Sequence, residues 1–416
     1  MRARHRDLAQ PRRRLAAAWA LLLLLGIMAA LPAWCGVRDA PGKDLEVALI
    51  TYGPGAIYWE RFGHDAIQIR DTVSGESVDF NYGVFDFDQK DFLFNFARGH
   101  MTYMMDAEAT QPEVAWYIRQ GRSVRRQVLA LSPRQAAQLR DYLLWNLRPA
   151  NLHYRYDYYT SNCATKVRDA IDRVLGNDMK AQLQAIRSPL TYRQQTDRLM
   201  ANRPWLMLLL DLGLTSYADR PLNAWQASFL PVELSHAVAQ VQVETSATAS
   251  HPLVASDTLV ARNHLKPPPP FPPDLNTPLA LSGLLLAIVL LLLGRSHNDL
   301  AQIAFGALAS IWLILAGLAG LLMLALWGLT SHVAGWANAN LLLFNPLAFL
   351  LLAAVWRQRT SRRAHAVAWS IVVLSAMALV GNFTQLLMQR NLPWILLALP
   401  VWLAVLHVLH QRSKNA

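Results

Sequence analysis

This chain has few cysteines and little charge for its length. Two of its 416 residues are cysteines and 16% are charged, whereas 53% are hydrophobic. Cys35 and Cys163 allow at most one disulfide bond, which we do not expect because Cys35 would lie at a membrane boundary. Charge this sparse excludes an ordinary soluble protein and indicates membrane-spanning segments. The histidines show no metal-ligand spacing, so we predict no metal site and no cofactor.

The formal net charge of +11 does not indicate a nucleic-acid-binding protein. Between Gly36 and Pro278 the chain carries 25 Lys and Arg against 26 Asp and Glu, so this part is nearly neutral. The excess lies at the ends of hydrophobic runs, where positive charge orients membrane segments. It comprises six arginines before Leu15 and then Arg295, Arg357, Arg359, Arg362, Arg363, Arg412 and Lys414. We therefore predict no nucleic-acid partner.

Hydropathy divides the chain into five parts. Residues 1–14 are basic and expected in the cytoplasm, and residues 15–36 predict a signal peptide or a signal-anchor helix. Residues 37–262 have the pattern of an exported globular domain. Residues 263–278 form a proline-rich linker, and residues 279–416 form a transmembrane domain.

The transmembrane domain contains five hydrophobic runs. They cover about 279–294, 302–329, 341–356, 366–388 and 394–410. If residues 37–262 are exported, Arg295, the cluster at 357–363 and the C-terminal Arg412 and Lys414 all fall on the cytoplasmic side, as the positive-inside rule requires. The sequence therefore predicts an integral membrane protein.

The exported part is predicted to be an α+β domain. Strands are predicted at 46–51, at 64–69, where apolar residues alternate, and at 77–82, which is expected to pair with 64–69 through the turn at 72–76. Helices are expected to begin at Ser132–Pro133 and at Cys163. The segments 240–244 and 259–262 are expected to pair as a late hairpin. A local basic cluster consists of Arg119, Arg122, Arg125 and Arg126. A solvated face is its commoner role, and contact with lipid head groups is the alternative.

Cys163 is the candidate nucleophile. Free N–H groups and the helix dipole favour a thiolate at a helix start, and the N–H of Cys163 could donate to an oxyanion. His64, on a predicted strand about a hundred residues earlier, is the candidate base. The residues alone leave a second interpretation open, in which Cys163 is a buried structural cysteine and His64 an ordinary strand histidine.

Six ordered segments resemble the Lnb-type family, membrane-anchored bacterial lipoprotein N-acyltransferases with an exported N-terminal domain. The matching segments are 49–55, 61–64, 81–87, 99–103, 162–169 and 229–231. The order of His64 before Cys163 also resembles permuted papain-like thiol enzymes of the NlpC/P60 and lecithin:retinol acyltransferase kind. The resemblance implies a permuted papain-like α+β domain on the periplasmic side of the bacterial inner membrane, with His64 as base and Cys163 as nucleophile.

The resemblance also implies a third polar group on the strand beside the histidine. Asp79 and Asn81 share a face there, and we favour Asn81 because it falls within the matching Asn-Tyr-Gly segment. Tyr159 is a candidate wall of an acyl groove, although core packing is its commoner role.

A loop predicted on the outer side of the membrane carries further candidates. His332, Asn338 and Asn340 lie there, and the family has a similar histidine- and asparagine-rich loop. We expect these residues to contact a lipid head group or to steady the catalytic domain, with a plain surface loop as the alternative.

Together these features predict a membrane-bound thiol acyltransferase. It would move an acyl chain from a lipid ester, through a thioester on Cys163, to an amine such as a lipoprotein N-terminus. The expected partners are membrane phospholipid and lipoprotein. Two alternatives remain: a Cys–His hydrolase of cell-wall peptide or lipid, and a non-enzymatic envelope binding or assembly protein.

Overall fold

The computed structural model describes residues 35–85, 91–246, 249–384 and 386–414. The predicted basic N-terminus and nearly all of the predicted signal segment lie outside the described residues. The described elements form an N-terminal α+β domain followed by a helical membrane domain.

A seven-stranded antiparallel sheet forms the centre of the N-terminal domain. The strand order is β6-β4-β3-β2-β1-β5-β9. The bounds are β1 Leu45–Tyr52, β2 His64–Asp71, β3 Ser77–Val84, β4 Thr102–Ala109, β5 Val124–Leu129, β6 His153–Arg155 and β9 Val254–Ala261. The three predicted strands lie within β1, β2 and β3, so those predictions are confirmed.

The predicted late hairpin is wrong in its pairing. β7 (Gln242–Ser246) pairs with β8 (Ala249–Pro252) as a separate ribbon. β9 instead extends the main sheet along β5, where Arg125 donates two hydrogen bonds to the carboxylate of Asp257 at 2.7 Å each. Local alternation could not reveal this partner, because β5 lies more than a hundred residues earlier in the chain.

Both faces of the sheet are covered. On one face Leu49, Ile67 and Phe80 pack against a helical layer. On the other, Tyr52 packs against Tyr117. The helices of the domain are Cys35–Asp39, Phe92–Ala97, Thr110–Arg119, Pro133–Asn146, Cys163–Val174, Asp178–Ala185, Tyr192–Met200, Pro204–Gly213, Ser216–Asp219, Ala224–Ala227 and Pro231–Val238.

Five helical segments of the described chain are long and apolar enough to cross a membrane. They are Asn276–Arg295, Asp299–Leu329, Val333–Leu351, Arg362–Phe383 and Leu392–Lys414. The third consists of short 3-10 turns, and the indole of Trp402 in the last helix donates to the carbonyl of Leu343 there at 2.9 Å. The number of predicted hydrophobic runs therefore agrees with the structure.

Buried amide side chains join the two domains. Asn338 and Asn340, near the start of the third apolar segment, both donate to the carbonyl of Leu212 at 2.9 Å. Asn338 also donates to the carbonyl of Gly213 at 3.1 Å and accepts a hydrogen bond from Gln389 at 2.9 Å. All of these amides are buried, and they hold the C-terminal end of helix Pro204–Gly213 against the membrane domain.

A buried ion cluster lies beside these amides. Arg193 forms ion pairs with Asp211 at 2.9 Å and Asp219 at 2.8 Å. Both carboxylates also bind the membrane domain. Asp219 accepts the backbone N–H of Arg390, in the connection before the last membrane helix, at 3.0 Å, and Asp211 accepts the indole N–H of Trp394 in that helix at 2.6 Å. The N-terminal domain is thus held to the membrane domain by paired charges as well as by amides.

Removing the Asn338 amide should loosen this junction. We expect Asn338→Leu to lower the free energy of unfolding by roughly 1–3 kcal/mol, because the buried partners of Asn338 lose their hydrogen bonds. Thermal unfolding in lipid nanodiscs measures the change. Gln240→Leu, which removes a solvent-exposed amide, is the control. An equal loss of stability in the two variants would contradict the role given to Asn338.

Candidate functional site

Cys163 is the first residue of its helix because Asn162 caps that helix. The Asn162 side chain accepts the N–H of Thr165 at 2.9 Å, and the Thr165 hydroxyl accepts the N–H of Asn162 at 2.7 Å. The Asn162 amide also donates to the carbonyls of Tyr158 and Phe229, both at 2.9 Å. This cap leaves the N–H groups of Cys163 and Ala164 at an open helix end.

The end of β3 approaches Cys163 closely. Gly83 has a φ of 95°, and a Cβ added there would lie 3.4 Å from the Cβ of Cys163. Because a side chain is strained in this left-handed conformation, glycine allows the strand to turn against the helix start. The turn places Cys163 close to the strand that also carries Asn81.

His64 and Asn81 are in direct contact. The register of β2 and β3 sets Ala66 opposite Asn81, and the His64 Nε2 lies 2.8 Å from the Asn81 Oδ1. The Asn81 amide nitrogen donates to Glu113 at 2.9 Å, so its oxygen faces the ring and the Nε2 of His64 is the donor. The Nδ1 of His64 is then the basic nitrogen.

The Cys163 thiol lies beside the start of β2. The backbone N–H groups of Asp65, Ala164 and Cys163 act to lower the pKa of the thiol. Asp65 follows His64 directly in β2. The structure therefore brings the predicted nucleophile, base and third group to one end of the sheet.

The resting site is uncharged at neutral pH. Burial, followed by the nearby Asp65 charge, raises the pKa of the Cys163 thiol to about 12 despite the opposing N–H groups. Burial likewise lowers the pKa of His64 to about 4, with Arg122 acting in the same direction and the bond to Asn81 opposing it. The expectation of a thiolate at the helix start is therefore wrong for the resting protein, because loss of hydration outweighs the helix end.

Buried carboxyl groups near the site have raised pKa values or accept hydrogen bonds from neighbouring side chains. Burial raises the pKa of Glu113 and that of Asp65 to about 8 each. Asp79, the alternative third group, accepts hydrogen bonds from Tyr52 at 3.1 Å and from Thr110 at 2.6 Å. It is Asn81, and not Asp79, that contacts His64.

Arg122 lies at the site, although the sequence predicts it as a member of the basic cluster. It is buried, its Nε donates to the carbonyl of Gly53 at 2.7 Å, and its guanidinium lies 4.5 Å from the centre of the Tyr117 ring. One of its terminal nitrogens has no partner among the described residues. The sequence signal that could have identified Arg122 is its position just before β5, the strand that pairs with β1.

The predicted basic cluster does not form a lipid-facing surface. Arg125 pairs with Asp257 at 2.7 Å, and Arg126 pairs with Glu46 at 2.6 Å. Arg119 is the exposed member. These arginines hold neighbouring strands together, because alternate residues of β5 point to opposite faces of the sheet.

The other predicted substrate residues are occupied within the protein. Tyr159 is buried, its ring lies 4.4 Å from that of Tyr192, and its hydroxyl is 3.1 Å from that of Thr196, which corresponds to the core-packing alternative. Asn338 and Asn340 use their amides at the domain junction, which corresponds to the steadying role. His332 donates to the carbonyl of Phe96 at 3.0 Å.

Two family models match this chain. Residues 31–198 match the model of the Lnb N-terminal periplasmic domain, and residues 271–415 match that of the Lnb transmembrane domain. Together they cover well over half of the sequence, and the first contains Cys163, His64 and Asn81. The comparisons with curated proteins and with solved structures gave no match. The N-terminal domain is thus periplasmic on a multi-pass inner-membrane protein, while the permuted papain-like fold stays a prediction.

The reactivity of Cys163 should reflect its half-buried, protonated state. Because its pKa is raised to about 12, we expect the rate of alkylation by iodoacetamide to rise about tenfold per pH unit between pH 7 and 9. Mass spectrometry of the Cys163 peptide measures this rate.

The control is an exposed thiol, Val73→Cys in a Cys163→Ser background. Its rate should level off near its ordinary pKa of about 8.5. A rate at Cys163 that levels off before pH 8 would contradict the protonated resting thiol.

Proposed function

This chain belongs to the Lnb family, membrane proteins of lipoprotein processing, and we propose that it is a thiol acyltransferase that uses Cys163, His64 and Asn81. The donor is the ester of a membrane phospholipid, and the acceptor is the amine of a lipoprotein N-terminus. The observation that carries this proposal is the hydrogen bond of 2.8 Å between His64 and Asn81 beside the capped helix start of Cys163.

The first half-reaction acylates Cys163. As the sulfur bonds to the ester carbonyl carbon, the Nδ1 of His64 takes the thiol proton, so no free thiolate has to exist beforehand. The N–H groups of Cys163 and Ala164 are the donors for the oxyanion. When the carbon–oxygen bond breaks, protonated His64 returns the proton to the departing alcohol, and a thioester remains.

The second half-reaction returns the thiol. A neutral amine attacks the thioester carbonyl, and His64 takes a proton from the attacking nitrogen. The carbon–sulfur bond then breaks, the amide leaves, and the proton passes to the sulfur of Cys163. His64 can serve in both steps because it is neutral at pH 7, which leaves its Nδ1 unprotonated, although its lowered pKa of about 4 makes it a weaker base than an ordinary histidine.

The surroundings of Cys163 favour a lipid substrate over a cell-wall peptide. Tyr154 and Cys163 pack against the same hydrophobic core, and Tyr156 stacks on Tyr103 at 4.1 Å between ring centres. Tyr158 stacks on His332 of the membrane domain at 5.8 Å. An aromatic site held against the membrane domain suits an acyl chain, whereas a peptide hydrolase needs an open polar groove.

An acyl adduct on Cys163 is the central prediction. The purified protein, incubated with phospholipid and without an amine acceptor, should carry one acyl chain on the Cys163 peptide, seen by mass spectrometry. His64→Ala should reduce the rate of its formation by about a hundredfold or more, the usual worth of a general base. His236→Ala, which removes an exposed histidine, should leave it unchanged.

Two results would contradict the acyltransferase. One is the absence of an adduct on the wild-type protein. The other is an equal rate of adduct formation in the wild type and in His64→Ala. If the protein releases free fatty acid as fast as it acylates the amine, the hydrolase is favoured instead.

Asn81 is proposed as a positioning residue for the imidazole. We expect Asn81→Ala to lower kcat by up to about a hundredfold with little change in KM, because the ring loses its fixed orientation. Asn81→Asp keeps an oxygen acceptor and should recover much of kcat. It should also shift the acid limb of the pH profile upward, because a carboxylate raises the pKa of His64. Loss without recovery in Asn81→Asp would contradict this role.

A further inference from the structure

The short helix Phe92–Ala97 exposes an unusual amount of apolar surface. Leu93 is 77% exposed and Phe94 61% exposed, and Phe96 is exposed as well. A water-facing helix seldom presents three neighbouring large apolar side chains, so such a patch marks a binding surface.

This helix lies beside the end of the second membrane helix. The carbonyl of Phe96 accepts a hydrogen bond from His332 at 3.0 Å, and the carbonyl of Arg98 accepts the N–H of Ser331 at 2.8 Å. The membrane helix ends at Leu329, whose side chain is 73% exposed. The apolar patch is therefore continuous with the surface that the membrane helices present to lipid.

An exposed aromatic pair also lies on the N-terminal domain. Tyr58 and Trp59 are both exposed, and their rings meet edge to face at 4.6 Å between centres. Aromatic side chains of this kind concentrate at membrane interfaces.

A cationic side chain beside the patch also suits the interface between lipid and water. The guanidinium of exposed Arg98 lies 5.4 Å from the centre of the Phe94 ring. An arginine can place its apolar stem along such a ring while its charge reaches lipid phosphates.

A row of rings leads from this helix toward the nucleophile. Phe92 lies 6.1 Å from Phe85, Phe85 lies 5.3 Å from Tyr103, and Tyr103 stacks on Tyr156 at 4.1 Å between ring centres. Tyr156 comes just before the turn that leads into the Cys163 helix, which is closed by the bridge between Asp157 and Ser161. The row joins the exposed patch to the reactive end of the sheet.

We propose that helix Phe92–Ala97 is embedded in the periplasmic leaflet of the bilayer, and that the row from Phe92 to Tyr156 guides an acyl chain from that leaflet to Cys163. The first statement stands on the position of the helix alone. The second rests on the proposed function. The partner of this surface is the lipid bilayer itself.

Spin-label accessibility tests the position of the helix. Labels at Leu93→Cys and Phe94→Cys, in full-length protein with Cys35→Ser and Cys163→Ser, are measured in nanodiscs of phosphatidylethanolamine and phosphatidylglycerol. Leu329→Cys is the lipid-exposed reference. Val73→Cys is the aqueous one, because it is 78% exposed in the turn at the opposite end of β2, roughly 25 Å from His64.

We expect both labels on the helix to be accessible to oxygen and protected from a water-soluble nickel chelate, as at Leu329. Accessibility to the chelate equal to that at Val73 would overturn the proposal. The side chains at the four labelled positions are exposed, so the labelled variants should fold. The two labels on the helix should give the same result, which provides an internal check.

A second experiment separates the position of the helix from the chemistry. Leu93→Glu with Phe94→Glu should slow acylation of Cys163 by bilayer phospholipid at least about tenfold, because carboxylates resist the apolar layer. It should leave alkylation of Cys163 by iodoacetamide unchanged, and Val73→Glu should change neither. Unchanged acylation would overturn the guiding role. If the wild type forms no adduct, the proposed function fails while the accessibility result still decides where the helix lies.

Discussion

The contacts between helix Pro204–Gly213 and the membrane domain hold the periplasmic domain at the bilayer. Asn338 and Asn340 share the carbonyl of Leu212, and Arg193 forms ion pairs with Asp211 and Asp219 beside them. Buried charges are tolerated here because each has a partner and further hydrogen bonds. Both substrates of the proposed reaction are confined to a membrane surface, so a domain fixed at that surface meets them without a search through solution.

Burial sets the protonation of the candidate site. It raises the pKa of Cys163 and lowers that of His64, so the resting pair is neutral. A neutral thiol is a poor nucleophile toward stray electrophiles of the oxidising periplasm, yet it can react when His64 accepts its proton during attack. The bond from His64 to Asn81 matters in this scheme because it decides which ring nitrogen is basic.

Short-range sequence patterns predicted individual strands and helices, but they did not predict which distant strands pair. Alternation identified β2, and the helical pattern identified the helix that starts at Cys163, because both signals depend on neighbouring residues. The pairing of β9 with β5 depends on contacts far apart in the chain. The arginines before and within β5 looked like one basic cluster in sequence, yet the pleat of the strand sends them to different partners.

The sequence by itself determined the membrane topology, the α+β class of the periplasmic domain and the identity of the candidate nucleophile and base. Hydropathy, charge placement and helix-start chemistry are local properties, so they can be read along the chain. The tertiary structure decided which residues are neutral, which asparagine contacts His64, and that Arg122 lies at the site while Tyr159 lies in the core. These outcomes depend on burial and on partners that only folding brings together.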